Sequence, residues 1–229
     1  MTIKKDAAIQ GIMDDFEKLA NVVLEQLDQM ERIITSGDLN IPENIVNTLS
    51  ANEEIIDKSE VKLSEKIVNT IVLQSPVASE LRKLMACYRI LINLERIGDR
   101  VINVSNFIMK IKTPELYNAF HEVFSNTAIL SVEMVRKSLW AFKTDDHEFA
   151  IWTIKNDDVM DEVNSKLLKK LVKKTNTEET NKSLLISLVT LKEMMSNLER
   201  IGDYATNIAE AAIYSMEGKD IRHHNIEEK

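Results

Sequence analysis

A chain of 229 residues, 44% apolar and 29% charged, is long enough for one large domain or two small ones. Only 5 glycines and 3 prolines occur, which excludes collagen-like and low-complexity chains and disfavours an all-β fold needing frequent turn residues. The net charge of −8, from 37 acids and 29 bases, argues against a nucleic-acid partner or a broad anionic-membrane footprint.

Apolar residues recurring every three or four positions predict six helices. The first, 7–36, stops at Gly37, and the second, 43–73, follows Pro42. The third, 76–111, opens on Pro76 with Ser75 as its expected N-cap and carries the stripe Leu81, Leu84, Tyr88, Leu91. The fourth, 114–143, opens on Pro114 with Thr113 as N-cap. The fifth, 147–175, gathers Lys169, Lys170, Lys173 and Lys174 in its last turn, a solvated cluster favoured by the helix dipole. The sixth, 179–217, carries Leu184, Leu188, Leu191, Met195 and Leu198 and stops at Gly218. Residues 218–229, with His223 and His224, read as a polar tail.

Long helices joined by short loops pack as up-and-down bundles, because each has one apolar stripe to bury. The lone Cys87 lies on such a stripe and reads as a core thiol; with no second cysteine, a reducing compartment suits the chain. The methionines at helical spacing read as core filling. Trp140 and Trp152 flank the loop before the fifth helix, either as packing residues or as an exposed contact. No run approaches the ~18 apolar residues of a membrane span, and the first residues lack a signal-peptide core, so a cytoplasmic location is expected.

The chain repeats itself. Asn93-Leu94-Glu95-Arg96-Ile97-Gly98-Asp99 recurs unchanged as Asn197-Leu198-Glu199-Arg200-Ile201-Gly202-Asp203, an offset of 104. The same offset aligns Asn52–Val68 with Asn156–Val172, identical at 6 of 17 positions, and pairs Phe16 with Phe120, Met30 with Met134 and Arg32 with Arg136. One offset serving three helices implies a duplicated three-helix unit. The expected architecture is all-α, two related three-helix bundles at 7–111 and 114–217.

Each unit carries two acid-x-x-x-Asp pairs: Glu53 with Asp57 and Glu95 with Asp99, then Asp157 with Asp161 and Glu199 with Asp203. Residues four apart share a helix face. Counted from the loop near Pro76, both pairs of the first unit lie roughly 30–33 Å along an antiparallel hairpin, at one level. Gly98 and Gly202, at equivalent core positions beside the acids, each cost about 1 kcal/mol relative to alanine, which suggests that another backbone or a bound group comes close. Two charges about 5 Å apart repel by roughly 3 kcal/mol at an effective dielectric of about 20. Four such groups need protons, full solvation, basic partners such as Arg96, Arg100 and Arg200, or a cation. An all-oxygen set suits Mg²⁺, Ca²⁺, Mn²⁺ or iron better than structural zinc, and the Glu-x-x-His signature of di-iron bundles is absent.

The twice-occurring Leu-Glu-Arg-Ile-Gly-Asp followed by Asn103 or Asn207, the upstream acidic pairs and the tandem units resemble the PhoU family of phosphate-uptake regulators, over about residues 10–217. The resemblance implies a cytoplasmic, usually dimeric protein that can sit at the inner membrane through its partners. It implies that Glu53, Asp57, Glu95, Asp99, Asp157, Asp161, Glu199 and Asp203 hold metal ions, in multinuclear clusters in some members, with iron, manganese, zinc or magnesium as candidates. It also implies a signalling adaptor that couples a phosphate ABC importer to a sensor histidine kinase and restrains the phosphate-starvation response. Arg100 and Tyr204 differ between the repeats, as do Glu53 and Asp157, so the two sites need not be equivalent. No phosphate-binding glycine loop, nucleophile elbow or Cys-His signature points to an enzyme, and no catalytic residue is assigned. The alternative on residues alone is a carboxylate-bridged metal hydrolase or oxidase in a helical bundle.

Overall fold

The computed structural model describes residues 2–175 and 182–221, and the described residues are helical without strands. The helices are α1 (Thr2–Ser36), α2 (Glu43–Gln74), α3 (Ser79–Ile108), α4 (Pro114–Asn118), α5 (His121–Thr144), α6 (His147–Thr175) and α7 (Lys182–Glu217). His223 and His224, the expected start of the last helix at 179 and the Lys174 side chain lie outside the described residues; Lys169, Lys170 and Lys173 are solvated as expected.

Helices α1, α3, α5 and α7 form the centre. Among the described residues, helix α2 packs only on α1 and α3, and α6 only on α5 and α7, so these two flank the molecule. That explains the sparse stripe of α2, where Leu49, Ile56, Leu63 and Thr70 are buried at seven-residue spacing along one narrow seam. The central α3 buries residues on most of its girth, Cys87 among them. Burial pushes the Cys87 thiol well above its usual range, leaving it an inert core group. One continuous apolar core runs through both repeats.

Helices α3 and α7 run antiparallel. The Asn207 amide donates to Asn93 Oδ1 (3.4 Å), Arg100 to Asn197 Oδ1 (3.5 Å), and Arg96 lies 5.9 Å from the Tyr204 ring centroid. Helices α1 and α5 also cross antiparallel, joined by the Phe16–Phe142 edge contact at one end and by Tyr117 and His121 against the Ile34 carbonyl at the other. The duplicated units are thus related by an approximate two-fold.

Gly37 (φ 73°) and Gly218 (φ 74°) end α1 and α7 in the left-handed conformation that glycine adopts without strain. Four local expectations are corrected. Ser75 does not cap α3; at φ 45° it is the left-handed C-cap of α2, and its N–H donates to Ile71 O at 3.2 Å. The start of α3 moves to Ser79, where the Glu80 carboxylate accepts from Val77 N (3.2 Å) and from Lys5 Nζ (2.7 Å). Thr113 holds the N-cap position of α4, but its hydroxyl accepts from Ser187 Oγ (3.2 Å) instead of serving its own helix. The single helix expected over 114–143 breaks at Ala119–Phe120, because α4 turns inward to bury Leu116 and Tyr117.

Candidate metal centres

The acids of the first unit face one another across α2 and α3, those of the second across α6 and α7. Each helix presents its pair at the boundary of its buried stripe: Ile56 and Met160 are buried, as are Leu94, Gly98, Leu198 and Gly202. Glu53, Glu95, Asp157 and Glu199 are half-buried, while Asp57, Asp99, Asp161 and Asp203 reach solvent. The eight predicted residues therefore form two grooves, one on each flank of the molecule.

The glycines admit side chains, not another backbone. A Cβ on Gly98 would lie 2.8 Å from Glu53 Oε2, 3.2 Å from Ile56 Cδ1 and 3.3 Å from Gln26 Oε1. A Cβ on Gly202 would lie 3.3 Å from Met160 Cγ and 3.6 Å from Met134 Cε. Equivalent glycines thus make room for a carboxylate in the first groove and for thioethers in the second.

Proton affinities record the crowding. Glu53 is pushed up to about 7 by loss of solvent, with Asp99 and Asp57 adding to the rise and a Gln26 hydrogen bond opposing it. Glu95 is raised by burial, then by Asp99, Asp57 and Glu60. In the second groove burial leads again: Glu199 rises to about 7 with Asp161 and Asp203 contributing, and Asp203 to about 6 with Asp157 and Asp161 contributing. Asp157 is raised by burial, against a 3.2 Å hydrogen bond from Thr206. The arginines compensate little. Among the described residues, Arg100 with Asp99 at 3.9 Å is the one ion pair that any of the eight acids makes.

Residues outside the acidic pairs shape both grooves. Gln26, fully buried on α1, donates through Nε2 to Leu49 O (3.2 Å) and Glu53 Oε2 (3.3 Å), while its Oε1 has no partner among the described residues. The sequence signal was a polar residue interrupting the apolar stripe of α1, where the second repeat has Leu130. In the second groove Asn164 donates to Glu199, at the position where the first repeat has Glu60. The carboxylates converge without closing: among the described residues, no three acidic, histidine or cysteine side chains are gathered into a metal-holding set. The donor chemistry nonetheless fits a hard cation, with oxygens alone, partly desolvated and mutually repelling, and with the orphaned Gln26 oxygen beside Glu53.

The fold and grooves define a class of protein: a tandem repeat of helical bundles carrying one acidic groove per repeat on opposite flanks. The family model described as the PhoU domain matches residues 16–108 and 126–212, and the chain belongs to that family. It is 33% identical over 154 residues to a phosphate-specific transport system accessory protein PhoU homolog of Xylella fastidiosa, a match covering 66% of this chain and 62% of the relative. The corresponding protein of Pseudomonas aeruginosa is 28% identical over 223 residues, covering 94% of this chain and 77% of the relative. The chain thus spans just over three fifths of the Xylella relative's length. The fold is that of the crystal structure of PhoU from Pseudomonas aeruginosa, with TM-score 0.80, 22% identity and coverage of 93% of this chain and 99% of that one. The PhoU regulatory protein from Streptococcus pneumoniae matches with TM-score 0.81, 21% identity and coverage of 94% and 98%.

Proposed function

We propose that the protein is a non-enzymatic, metal-binding regulator of phosphate transport, an adaptor between a phosphate importer and a sensor histidine kinase. The observation that carries the metal half is the duplicated groove, where carboxylates are held in partial desolvation with few basic partners. Glu53, Asp57, Glu95 and Asp99 would hold cations in one groove, and Asp157, Asp161, Glu199 and Asp203 in the other. A bound cation supplies the positive charge that protons otherwise supply near neutral pH, and so ties the flanking helix of each unit to its core. The relatives' names, which place them as accessory proteins of phosphate-specific transport systems, support the regulatory half. No helix among the described residues is long and apolar enough to cross a membrane, so docking on membrane partners would use the folded surface.

The test is binding of the purified protein to the importer's ATPase subunit and to the kinase's cytoplasmic portion, with and without manganese or iron. The reading predicts binding strengthened by metal and weakened in Glu95→Ala/Asp99→Ala and Glu199→Ala/Asp203→Ala. Binding to neither partner, or phosphoester turnover that those variants abolish, would contradict it. Light scattering should give twice the chain mass of 26.2 kDa; a monomer would remove the dimer from the proposal.

A further inference from the structure

The approximate two-fold gives the α1–α5 contact two ends that ought to match, and they do not. At one end α4 turns inward: Tyr117 and Phe124 are fully buried, Phe120 nearly so, and the Tyr117 hydroxyl donates to Ile34 O at 3.3 Å. At the other end α1 runs straight through the residues equivalent to α4, and the repeat places Met13, Phe16 and Ala20 where the filled end has Tyr117, Phe120 and Phe124. A cavity of about 700 Å³ remains there, with Phe16, Leu139, Phe142 and Phe149 among its apolar lining and the exposed Trp140 at its mouth. That volume lies within the ~300–1,000 Å³ of small-molecule sites.

The charge differs as well. Lys83, Arg136, Lys137 and Lys143 line the open end against one acid, Glu17. Three of the four cations are replaced by Ser187, Ile33 and Leu39 at the filled end. Arg136 pairs with Asp28, Lys143 with Glu17 and Lys137 with Glu133. Half-buried Lys83 enters from α3 and forms no ion pair among the described residues. A basic, aromatic-lined cavity on a chain of net charge −8 is complementary to an anion carrying an apolar body.

We propose that the open end of the α1–α5 groove binds a small amphipathic organic anion. Its flat or extended apolar body lies against Met13, Trp140 and Phe149, over a floor of buried Phe16, Leu139 and Phe142, and its phosphate or carboxylate head meets Lys83. The assignment is independent of the metal grooves, which lie between α2 and α3 and between α6 and α7; none of their eight acids lines this cavity.

The probe is 1-anilinonaphthalene-8-sulfonate, a flat aromatic anion, titrated into the full chain and then displaced by adenosine monophosphate or by decanoate. One dye per chain is expected. Lys83→Glu should weaken it about tenfold, and Ala20→Phe, which restores the ring that the second repeat has at Phe124, should abolish it. Displacement by the nucleotide identifies a base as the body; displacement by decanoate identifies an acyl chain. Thermal melts verify folding, and Lys83→Glu carries the test alone if Ala20→Phe fails to fold. Equal dye binding by wild type and Lys83→Glu, or displacement by neither competitor, would overturn the proposal.

Discussion

The two repeats share three helices, one offset and eight equivalent acids, yet each has kept a different half of the design. The first repeat places a carboxylate and a buried glutamine against its groove glycine, where the second places two methionines. The second turns its N-terminal segment inward to fill the α1–α5 contact, where the first leaves a basic cavity. Duplication preserved the backbone and the acidic spacing, and the side chains one layer behind the acids diverged. Those residues decide how far each carboxylate is desolvated and which neighbour answers it.

The sharpest break between the halves is at the aromatic plug. Tyr117→Ala removes a fully buried ring and should cost about 3–5 kcal/mol, measured by denaturant unfolding. Met13→Ala, at the equivalent and half-buried position, should cost about 1–2 kcal/mol. Equal losses would mean that the two ends are packed alike.

The acidic grooves predict an unusual pH response of the metal-free protein. Glu53 and Glu199 titrate near 7 and Asp203 near 6 in the folded chain, against 4.5 for a free glutamate and 3.8 for a free aspartate. Between about pH 4 and 7 the folded state holds more protons than the unfolded state, so this contribution to stability declines as pH rises through that window. After chelation, the melting temperature should be higher at about pH 5.5 than at about pH 8, and Glu53→Gln/Glu199→Gln should shrink the difference. A melting temperature that climbs with pH in wild type would refute the desolvated state of the grooves.

Smaller effects separate the two glycines. In Gly98→Ala the new methyl meets the tip of Glu53, which can swing away, and presses less closely on the buried Ile56 and Gln26 side chains. The gain of about 1 kcal/mol in helix propensity then offsets most of the disturbance, while cation affinity in the first groove drops. In Gly202→Ala the atoms nearest the new methyl belong to the flexible Met160 and Met134 side chains, so titration calorimetry should find affinity in the second groove unchanged. The smallest expected change is in Gln26→Leu, which copies Leu130: stability within about 1 kcal/mol of wild type and weaker cation binding in the first groove alone.

Much of this architecture was readable from spacing. The offset of 104, the paired acids and the stop glycines Gly37 and Gly218 follow from periodicity and conformational rules that act locally. The break at Ala119–Phe120 was not readable, because nothing in Pro114–Phe120 forbids a continuous helix. Burial of Tyr117 against the far end of α1 bends it, and such a contact has no local signature. Ser75 misled for a related reason: a serine before proline suits an N-cap, yet the end of α2 claimed it in the left-handed conformation. The acids were found by their repetition, whereas Gln26, Asn164 and Thr206 come from other faces or turns and meet them only after packing.

The most direct test of the paired grooves is elemental analysis by inductively coupled plasma mass spectrometry of tag-free protein purified without chelators. It is run beside Glu95→Ala/Asp99→Ala and Glu199→Ala/Asp203→Ala. Bound iron, manganese, zinc or magnesium is expected to fall groove by groove, each double variant losing its own share and keeping the other's. Metal content unchanged in both variants, or none in wild type even after reloading, would contradict that expectation.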